Sequence, residues 1–525
     1  MPVRFSSRLV ARRRLAWLRR SAAAGTLTLA MLRGAPVAEA QAPVALSEEF
    51  QVNTFTTGDQ SRPSVAMDAD GDFVIAWAGF GQDGSLSGIF AQRYAADGTP
   101  QGDEFQVNTF TTASQFRPSV GMDTDGNFVV AWESSDQDGS SYGVFARRYA
   151  ANGTPQGDEF QVNTFTTDGQ RMASVGMDAD GDFVVAWESF GQDGSYYGVF
   201  AQRYNAGGAA VGMEFQVNTH TTDFQFSGKV AMDDDGDFVV AWRSTGQDGS
   251  RSGIFAQRYA ADGTPQGDEF QVNTFTTDGQ RMASVGMDAD GDFVVAWESF
   301  GQDGSYYGVF ARRYAANGTP QGSEFQVNIF TTRFQSSASV GIDADGDFVI
   351  AWESSNQDGS GGGIFARRYA ADGTPQSSEF RVNTHTSNHQ GGPAVSMEAD
   401  GDFVTAWRSS GQDGSRSGVF ARRYTDSPLP AGDEMPLPVN FALDVVFSNP
   451  FSDAAAVHYA LPTAAAVRLT VTDLLGRTVL TRAEGVQPAG RHEVQLALDN
   501  LLSGVYVVCL NAAGANATQR VILIR

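Results

Sequence analysis

Apolar and polar residues follow one pattern that repeats along most of the chain with a period of 55 residues. Each copy carries one tryptophan, in the series Trp77, Trp132, Trp187, Trp242, Trp297, Trp352 and Trp407. No insertion interrupts the series, and residues 158–204 recur as 268–314 with a single change, Gln202 to Arg312. A fixed period of this size is typical of solenoids, propellers and arrays. The chain is therefore predicted to contain seven copies of one structural unit.

Each copy contains four strand-like segments separated by turn signals. In the first copy they are Pro63–Asp68, Asp72–Trp77, Gly88–Tyr94 and Glu104–Asn108. The second segment is apolar on both faces, which predicts a strand that is covered on both sides. In the fourth segment Phe105 and Val107 alternate with the polar residues Gln106 and Asn108, which predicts a half-exposed outer strand.

Four strands in 55 residues favour a propeller blade, since known blades have about 40–50 residues. Immunoglobulin-like domains would need about 100 residues each, and a β-solenoid would leave two exposed ends. The array begins with an outer-strand segment, Glu49–Asn53, and finishes with a third segment, Gly418–Tyr424. Pairing of these two segments would close a ring. We predict an all-β seven-bladed propeller over residues 41–424, with the tryptophans between blades and not stacked on a ligand.

Sequence variation between the copies falls in two loops of each unit, the loop from second to third strand and the loop to the next blade. In a propeller these loops share one rim, which predicts a binding face, although neutral drift in exposed loops would give the same variation. The candidate ligand-binding residues are Gln60, Gln82, Asp83, Gln115, Tyr142, Tyr196, Tyr197, Arg251, Tyr306, Tyr307 and Arg416. Such amides, carboxylates and tyrosines could hydrogen-bond and stack a sugar. The glutamines and the Gln-Asp-Gly motif recur in every copy, so satisfying loop backbone groups is the favoured alternative for them.

Acidic turns raise the question of a metal. Asp68, Asp70 and Asp72 alternate along one turn, as do Asp178, Asp180 and Asp182 in the third copy. Oxygen ligands at this spacing suit calcium, but the bidentate glutamate of an EF-hand is missing. A hairpin turn in an acidic protein is therefore favoured over a calcium site, and no cofactor is assigned.

Composition limits the partners. Residues 1–40 combine eight arginines, an apolar stretch and Ala38-Glu39-Ala40, which predicts a cleaved export signal. Its removal would change the net charge from −25 to about −32, which argues against nucleic acid as a partner. No later stretch has the roughly 20 apolar residues of a membrane span.

Evidence for catalysis is thin in the sequence. The five histidines show no nucleophile motif and no zinc-ligand spacing. We found no group of acids that breaks the sevenfold repetition, as a propeller hydrolase would require. The sequence therefore predicts a protein that is not an enzyme.

The repeats end before a proline-rich segment, residues 425–440, which is predicted to be a linker. Six short strands follow within residues 441–525 and predict a small immunoglobulin-like antiparallel β-sandwich. This region contains the motifs Ser448–Phe451, Tyr459–Pro462, Val467–Arg477 and Leu502–Tyr506.

These ordered motifs resemble the type A C-terminal sorting domain of cargo proteins of the type IX secretion system. The residues that carry the resemblance as sorting-signal positions are Asn449, Pro450, Gly476, Arg477, Gly504 and Tyr506. The resemblance implies an interaction with that secretion machinery, and export followed by release or attachment to the outer-membrane surface. The repeats themselves are similar to those of large bacterial surface and secreted proteins.

Together these features predict a secreted or cell-surface propeller, not an enzyme, that binds a polysaccharide or a surface protein through its variable rim. The alternatives are a glycan-active hydrolase or lyase with a site at the propeller channel, and a purely structural surface protein.

Overall fold

A computed structural model describes residues 43–425, 442–446, 454–487, 490–497, 501–512 and 515–523. The predicted export signal and nearly all of the predicted linker lie outside these residues. All the regular secondary structure in the described ranges is β-strand. The all-β prediction is confirmed.

The 55-residue repeat forms four-stranded antiparallel blades, preceded by two short strands, β1 (Val44–Ala45) and β2 (Phe50–Gln51). Blade 1 comprises β3 (Gln60–Met67), β4 (Phe73–Phe80), β5 (Ser87–Tyr94) and β6 (Phe105–Gln106). Blade 2 comprises β7 (Gln115–Met122), β8 (Phe128–Ser135), β9 (Tyr142–Tyr149) and β10 (Phe160–Gln161). Blade 3 comprises β11 (Gln170–Met177), β12 (Phe183–Phe190), β13 (Tyr197–Tyr204) and β14 (Ala210–Gln216). Blade 4 comprises β15 (Gln225–Met232), β16 (Phe238–Thr245), β17 (Ser252–Tyr259) and β18 (Phe270–Gln271).

The remaining blades follow the same order. Blade 5 comprises β19 (Gln280–Met287), β20 (Phe293–Phe300), β21 (Tyr307–Tyr314) and β22 (Phe325–Gln326). Blade 6 comprises β23 (Gln335–Ile342), β24 (Phe348–Ser355), β25 (Gly362–Tyr369) and β26 (Phe380–Arg381). Blade 7 comprises β27 (Gln390–Met397), β28 (Phe403–Ser410) and β29 (Ser417–Thr425).

The blades form a closed ring around a central channel. The first strand of each blade packs against the first strand of the next, and β27 of blade 7 packs against β3 of blade 1. The seam is completed by β2, which pairs with β29 through Phe50 opposite Ala421 and Gln51 opposite Phe420. The predicted closure by the segment around Glu49–Asn53 is confirmed.

Burial accounts for the tryptophan that occurs at this position in all seven copies. All seven repeat tryptophans are fully buried. Trp132 shows the arrangement, since it packs with Val74 and Ala76 of the preceding blade in one apolar cluster. Burying so large a ring against the preceding blade stabilises each junction by roughly 2–3 kcal/mol. The tryptophans belong to the core, as predicted.

The outer strand differs from its prediction. It is reduced to Phe105–Gln106, and Asn108, predicted to be exposed, is buried. Its Oδ1 accepts a hydrogen bond from the Ile89 backbone N–H at 2.7 Å, and its Nδ2 donates to the Phe110 carbonyl. The side chain replaces a backbone partner at the point where the strand ends, so a polar residue is satisfied inside the fold.

The C-terminal region forms two antiparallel sheets, as predicted. One sheet has the order β30 (Ala442–Val446), β31 (Ala454–Leu461) and β34 (Gly490–Ala497). The other has the order β33 (Thr478–Gln487), β32 (Ala465–Asp473), β35 (Gly504–Ala512) and β36 (Ala515–Leu523). Side chains from both sheets, including Tyr459 and Val508, share one apolar core.

Candidate functional site

The variable loops share one rim of the propeller, as the sequence predicted. This variable rim consists of loops 81–86 and 107–114 and their counterparts in the other blades. Ser140 of one such loop donates through Oγ to the Asp168 carbonyl of the other type at 2.8 Å. The acidic turns lie on the opposite rim, where the Ala96 N–H donates to Asp72 Oδ1 at 2.9 Å.

Two of the candidate residues on this rim are inaccessible. Gln60 and Gln115 have no exposed surface. The Gln115 amide donates to the Thr112 carbonyl at 3.1 Å, and Gln60 makes the equivalent bond to Thr57. Their role in satisfying loop backbone groups, the favoured alternative, accounts for these contacts.

Gln82 and Asp83 are half-buried and also bonded within the fold. Gln82 donates to Glu104 Oε1, and Glu104 Oε2 accepts the Thr54 N–H from the preceding blade at 2.6 Å. Asp83 Oδ1 accepts the Ser85 N–H at 3.0 Å. The glutamine and glutamate therefore link neighbouring blades, and the aspartate fixes the loop. The glutamate was missed from the sequence, although it precedes the outer strand in every copy.

Tyrosines of the variable rim form exposed stacked pairs. The Tyr196 ring stacks on Phe224 with centroids 4.4 Å apart, and Tyr306 stacks on Phe334 at 4.9 Å. About half of each tyrosine remains exposed, 48% and 53%. Phe224 and Phe334 were also missed from the sequence, although they lie in the variable loops to the next blade. These pairs are flat apolar surfaces with a polar edge.

Two candidate arginines lie on the same rim. Arg251 is 3.7 Å from Asp278, and Arg416 is 3.7 Å from Asp59. Their side chains are largely exposed, so these ion pairs contribute little to stability. Both groups remain accessible to a ligand.

The other candidate tyrosines lie deeper, beside arginines of the first strands. Arg171 lies over the Tyr142 ring at 4.2 Å, and Arg281 over Tyr307 at 3.7 Å. Tyr197 is half-buried. Its pKa is raised, first by burial. The structure therefore separates the predicted tyrosines into an exposed set and a set near the channel.

Charged residues gather at the variable-rim end of the channel, here called the channel mouth. The residue that follows each tryptophan lies opposite the second residue of the first strand, as Glu188 does opposite Arg171 and Arg243 opposite Phe226. Directly opposite residues point to the same face of a sheet. The residues at these positions that carry charge are Glu133, Arg171, Glu188, Arg243, Arg281, Glu298, Glu353 and Arg408.

Carboxylates of the channel mouth accept backbone hydrogen bonds from the next blade. Glu133 Oε2 accepts the Met172 N–H at 3.1 Å, and Glu298 Oε1 accepts the Ser337 N–H at 2.7 Å. Both donors sit at a bulge with positive φ. Burial raises the pKa of Glu298 even though Arg281 lies 2.7 Å away. This cluster was missed from the sequence; its signal is a charged residue in a strand otherwise apolar on both faces.

In the acidic turns, the first aspartate bonds backbone N–H groups of its own turn. Asp178 Oδ1 accepts the N–H groups of Asp180 and Asp182 at 3.0 and 2.9 Å. Asp68 Oδ1 holds Asp70 and Asp72 in the same way, at 3.0 and 2.9 Å. Asp178, Asp180 and Asp182 line a cavity of about 300 Å³. Nowhere in the described residues do three or more acidic, histidine or cysteine side chains converge to hold a metal ion.

Four of the six sorting-signal positions are described, since Asn449 and Pro450 lie outside the described residues. Gly476 has φ +78° in the turn from β32 to β33, where Arg477 Nε donates to Asp473 Oδ2 at 2.7 Å. Gly504 begins β35, and Tyr506 Oη donates to the Leu502 carbonyl at 2.8 Å. These residues lie at the same end of one sheet, because Asp473 at the end of β32 pairs with Tyr506 near the start of β35.

The chain combines a propeller with a small β-sandwich. Comparison of the sandwich with known domains places the chain in the class of exported repeat proteins. Residues 445–524 match the family described as the secretion system C-terminal sorting domain. The chain therefore carries the sorting domain of type IX secretion cargo, which implies an interaction with that machinery and a secreted or cell-surface location. No helix in the described ranges is long and apolar enough to cross a membrane.

Similar folds occur among solved structures at low identity. A protein of unknown function from Dyadobacter fermentans is 12% identical, with 72% of this chain and 97% of that chain covered and a TM-score of 0.45. PorZ, a surface component of the type IX secretion system of Porphyromonas gingivalis, is 15% identical, with coverages of 90% and 61% and a TM-score of 0.44. The propeller domain of the Trilobed protease of Pyrococcus furiosus is 9% identical, with coverages of 73% and 99% and a TM-score of 0.41. None of the curated proteins matches the sequence significantly.

Proposed function

We propose that this exported propeller is not an enzyme and binds an extracellular polysaccharide through the variable rim. The observation that carries the proposal is the pair of half-exposed aromatic stacks, Tyr196 with Phe224 and Tyr306 with Phe334. Sugar rings pack their C–H faces on such aromatic surfaces. A surface protein is the other ligand that this rim could accept.

Rigid support favours this use of the tyrosines. Each tyrosine ring is held against a phenylalanine ring of the neighbouring loop, so binding would lose little side-chain entropy. The two stacks lie on different blades of one ring and could contact successive parts of a polymer. Two weak contacts on one polymer add by effective concentration.

Substitution of both exposed tyrosines tests the proposal. Blade 2 has Ser141 at the corresponding position, so Tyr196→Ser with Tyr306→Ser introduces a residue that the loop already accommodates. The double variant, without the predicted export signal, is tested on a glycan array. We expect its glycan binding to fall at least tenfold, because each lost stack is worth about 1 kcal/mol.

A matched control removes exposed apolar surface elsewhere. Met213→Asp introduces the residue of Asp103 and Asp268 at the corresponding position of blade 3, and binding should be unchanged. Glycan binding that survives loss of both tyrosines would contradict the rim proposal. Release of sugar from the bound polymer would contradict the non-enzymatic part.

A further inference from the structure

The channel mouth carries more basic than acidic groups, although the chain as a whole is acidic. Acidic residues outnumber basic ones by 61 to 36 in the whole chain. The mouth is lined by the residue after each tryptophan and by the second, third and fifth residues of each first strand. These positions supply seven basic groups and four carboxylates. The basic residues are Arg62, Arg117, Arg171, Lys229, Arg243, Arg281 and Arg408, and the acidic ones are Glu133, Glu188, Glu298 and Glu353.

These charged groups act on one another across the mouth. The pKa of Arg62 is lowered, first by burial and then by the charge of Arg117. Arg408 of blade 7 adds to this effect, and Arg281 of blade 5 acts in the same sense on Arg243. Clustered cations that repel each other at a channel entrance attract an anion.

Several of these arginines have unused donors. The Nε atoms of Arg117, Arg171, Arg243 and Arg408 are buried and have no hydrogen-bond partner among the described residues. Aromatic rings hold two of the guanidinium groups, with Arg171 over Tyr142 at 4.2 Å and Arg243 over Phe226 at 4.7 Å. Buried donors without partners are unfavourable, and an anionic oxygen would satisfy them.

Blades 3 and 5 have nearly the same sequence, but their arginine and glutamate at the mouth are paired differently. In blade 5, Arg281 Nε donates to Glu298 Oε2 at 2.7 Å. In blade 3, the equivalent Arg171 lies on Tyr142 of blade 2, and Glu188 forms no ion pair with it among the described contacts. Blade 4 has Ser252 where blade 2 has Tyr142, so Arg281 has no such ring on the preceding blade.

Glu188 is therefore left with one free oxygen. It is 8% exposed, and its Oε2 accepts the Ser227 N–H at 2.9 Å. No hydrogen bond to its Oε1 occurs in the described part of the chain. Burial raises the pKa of Glu188.

Lys229 faces the same side of the mouth. It is the only lysine of the chain, and five of the other blades have serine at this position. Burial lowers the pKa of Lys229, and the nearby charge of Glu188 acts in the opposite direction. In the other blades the serine hydroxyl accepts an N–H of the next blade, as Ser174 does from Val230 at 3.2 Å. Lys229 thus replaces a structural contact with a cation.

We propose that the channel mouth between blades 2 and 4 binds an acidic sugar unit, with Lys229 and Arg171 on its anionic group and Glu188 on a neighbouring hydroxyl. The anion can be a carboxylate or a sulfate ester. This inference rests on the proposed function only in taking a polysaccharide as the ligand. It places the acidic unit at the channel, whereas the exposed tyrosines lie on the outer part of the rim.

Calorimetric titration of the mature full-length chain tests the site with polygalacturonate, dextran sulfate and neutral dextran. Lys229→Ser removes one positive charge and introduces the residue of the other blades. We expect roughly tenfold weaker binding of the acidic polymer, as loss of one charge-assisted contact predicts. Glu188→Gln removes a negative charge beside the anionic group and keeps a group that bonds a hydroxyl, so the acidic polymer should bind more tightly.

Arg381→Gln is the matched control, because it removes one positive charge from an outer strand and introduces the residue of the other six blades. Its binding should equal that of the unmodified chain. Binding of polygalacturonate alone, dextran sulfate alone or both supports the site and identifies the anion. Equal losses in Lys229→Ser and Arg381→Gln, or no binding of either acidic polymer, would overturn it. Binding of neutral glycans that depends on Tyr196 and Tyr306 would then leave the proposed function standing.

Discussion

Glu49 Oε2 accepts the Thr384 N–H at 2.6 Å, which joins two residues that are 335 positions apart in the chain. The same carboxylate accepts the Gln412 amide through its other oxygen. Glu104 makes the equivalent contacts with Thr54 and Gln82 at the next junction. The seam of the ring is thus built with the same contacts as the junctions within the continuous chain.

Equivalent junctions should respond equally to the same substitution. Glu49→Ala and Glu104→Ala should each lower the free energy of unfolding by about 1 kcal/mol, since each removes a charge-assisted bond to a partly exposed backbone N–H. Urea unfolding monitored by fluorescence measures both. Asp103→Ala removes a neighbouring exposed charge and serves as the control. A loss for Glu104→Ala without a loss for Glu49→Ala would indicate an open seam.

Stability should depend on pH through the acidic turns. Burial raises the pKa of Asp233 and of Asp288 to about 6, and that of Asp343 to about 7. The unfolded groups titrate near 3.9. Between roughly pH 4 and pH 7 the folded state therefore binds more protons than the unfolded state, and stability falls as pH rises.

Asp288→Asn isolates one of these groups. Its Oδ1 can still accept the two N–H groups of Asp290 and Asp292 that hold the turn. The variant should melt at a higher temperature than the unmodified chain near pH 7.5, which corresponds to about 1 kcal/mol of stability, because the amide keeps both hydrogen bonds without a buried charge. The difference should shrink as pH is lowered towards 5. A difference that does not change with pH would show that the carboxyl group is not responsible.

Calcium should have no specific effect on stability. In each turn, one oxygen of the first aspartate already accepts two backbone N–H groups, as Asp178 does. We expect the mature chain to melt at the same temperature in millimolar calcium and in chelator at equal ionic strength. A rise in melting temperature with calcium that magnesium does not reproduce would establish a bound ion.

Most of the fold could be predicted from the sequence because the repeat samples the same environment seven times. The tryptophan row and the segment around Glu49 were enough to predict blades and their closure. The role of Asn108 could not be predicted, because alternation suggests exposure while the side chain replaces a strand partner.

The candidate site was less predictable, for a different reason. Loop variation located the rim and the tyrosines Tyr196 and Tyr306. Loop variation could not reveal that Glu298 forms an ion pair with an arginine whereas Glu188 does not, because the two blades have nearly the same sequence there. That difference arises from a residue of the preceding blade, Tyr142, and depends on packing across the junction.

Ring closure is the claim on which both proposed binding surfaces depend. Val52 is buried in the cluster that contains Trp77, and its N–H donates to the Val419 carbonyl at 2.8 Å. Phe50 packs on Tyr94 with centroids 5.4 Å apart. Loss of these two side chains alone should destabilise the fold by about 3–6 kcal/mol.

The most direct test is thermal unfolding of the mature chain with and without residues 44–53, with tryptophan fluorescence as the readout. Trp17 lies in the predicted export signal, so the remaining seven tryptophans all report on the blades. The closed ring predicts a clear fall in the unfolding temperature when the segment is deleted. An unchanged unfolding temperature would contradict the closed ring and with it the shared rim and the channel mouth.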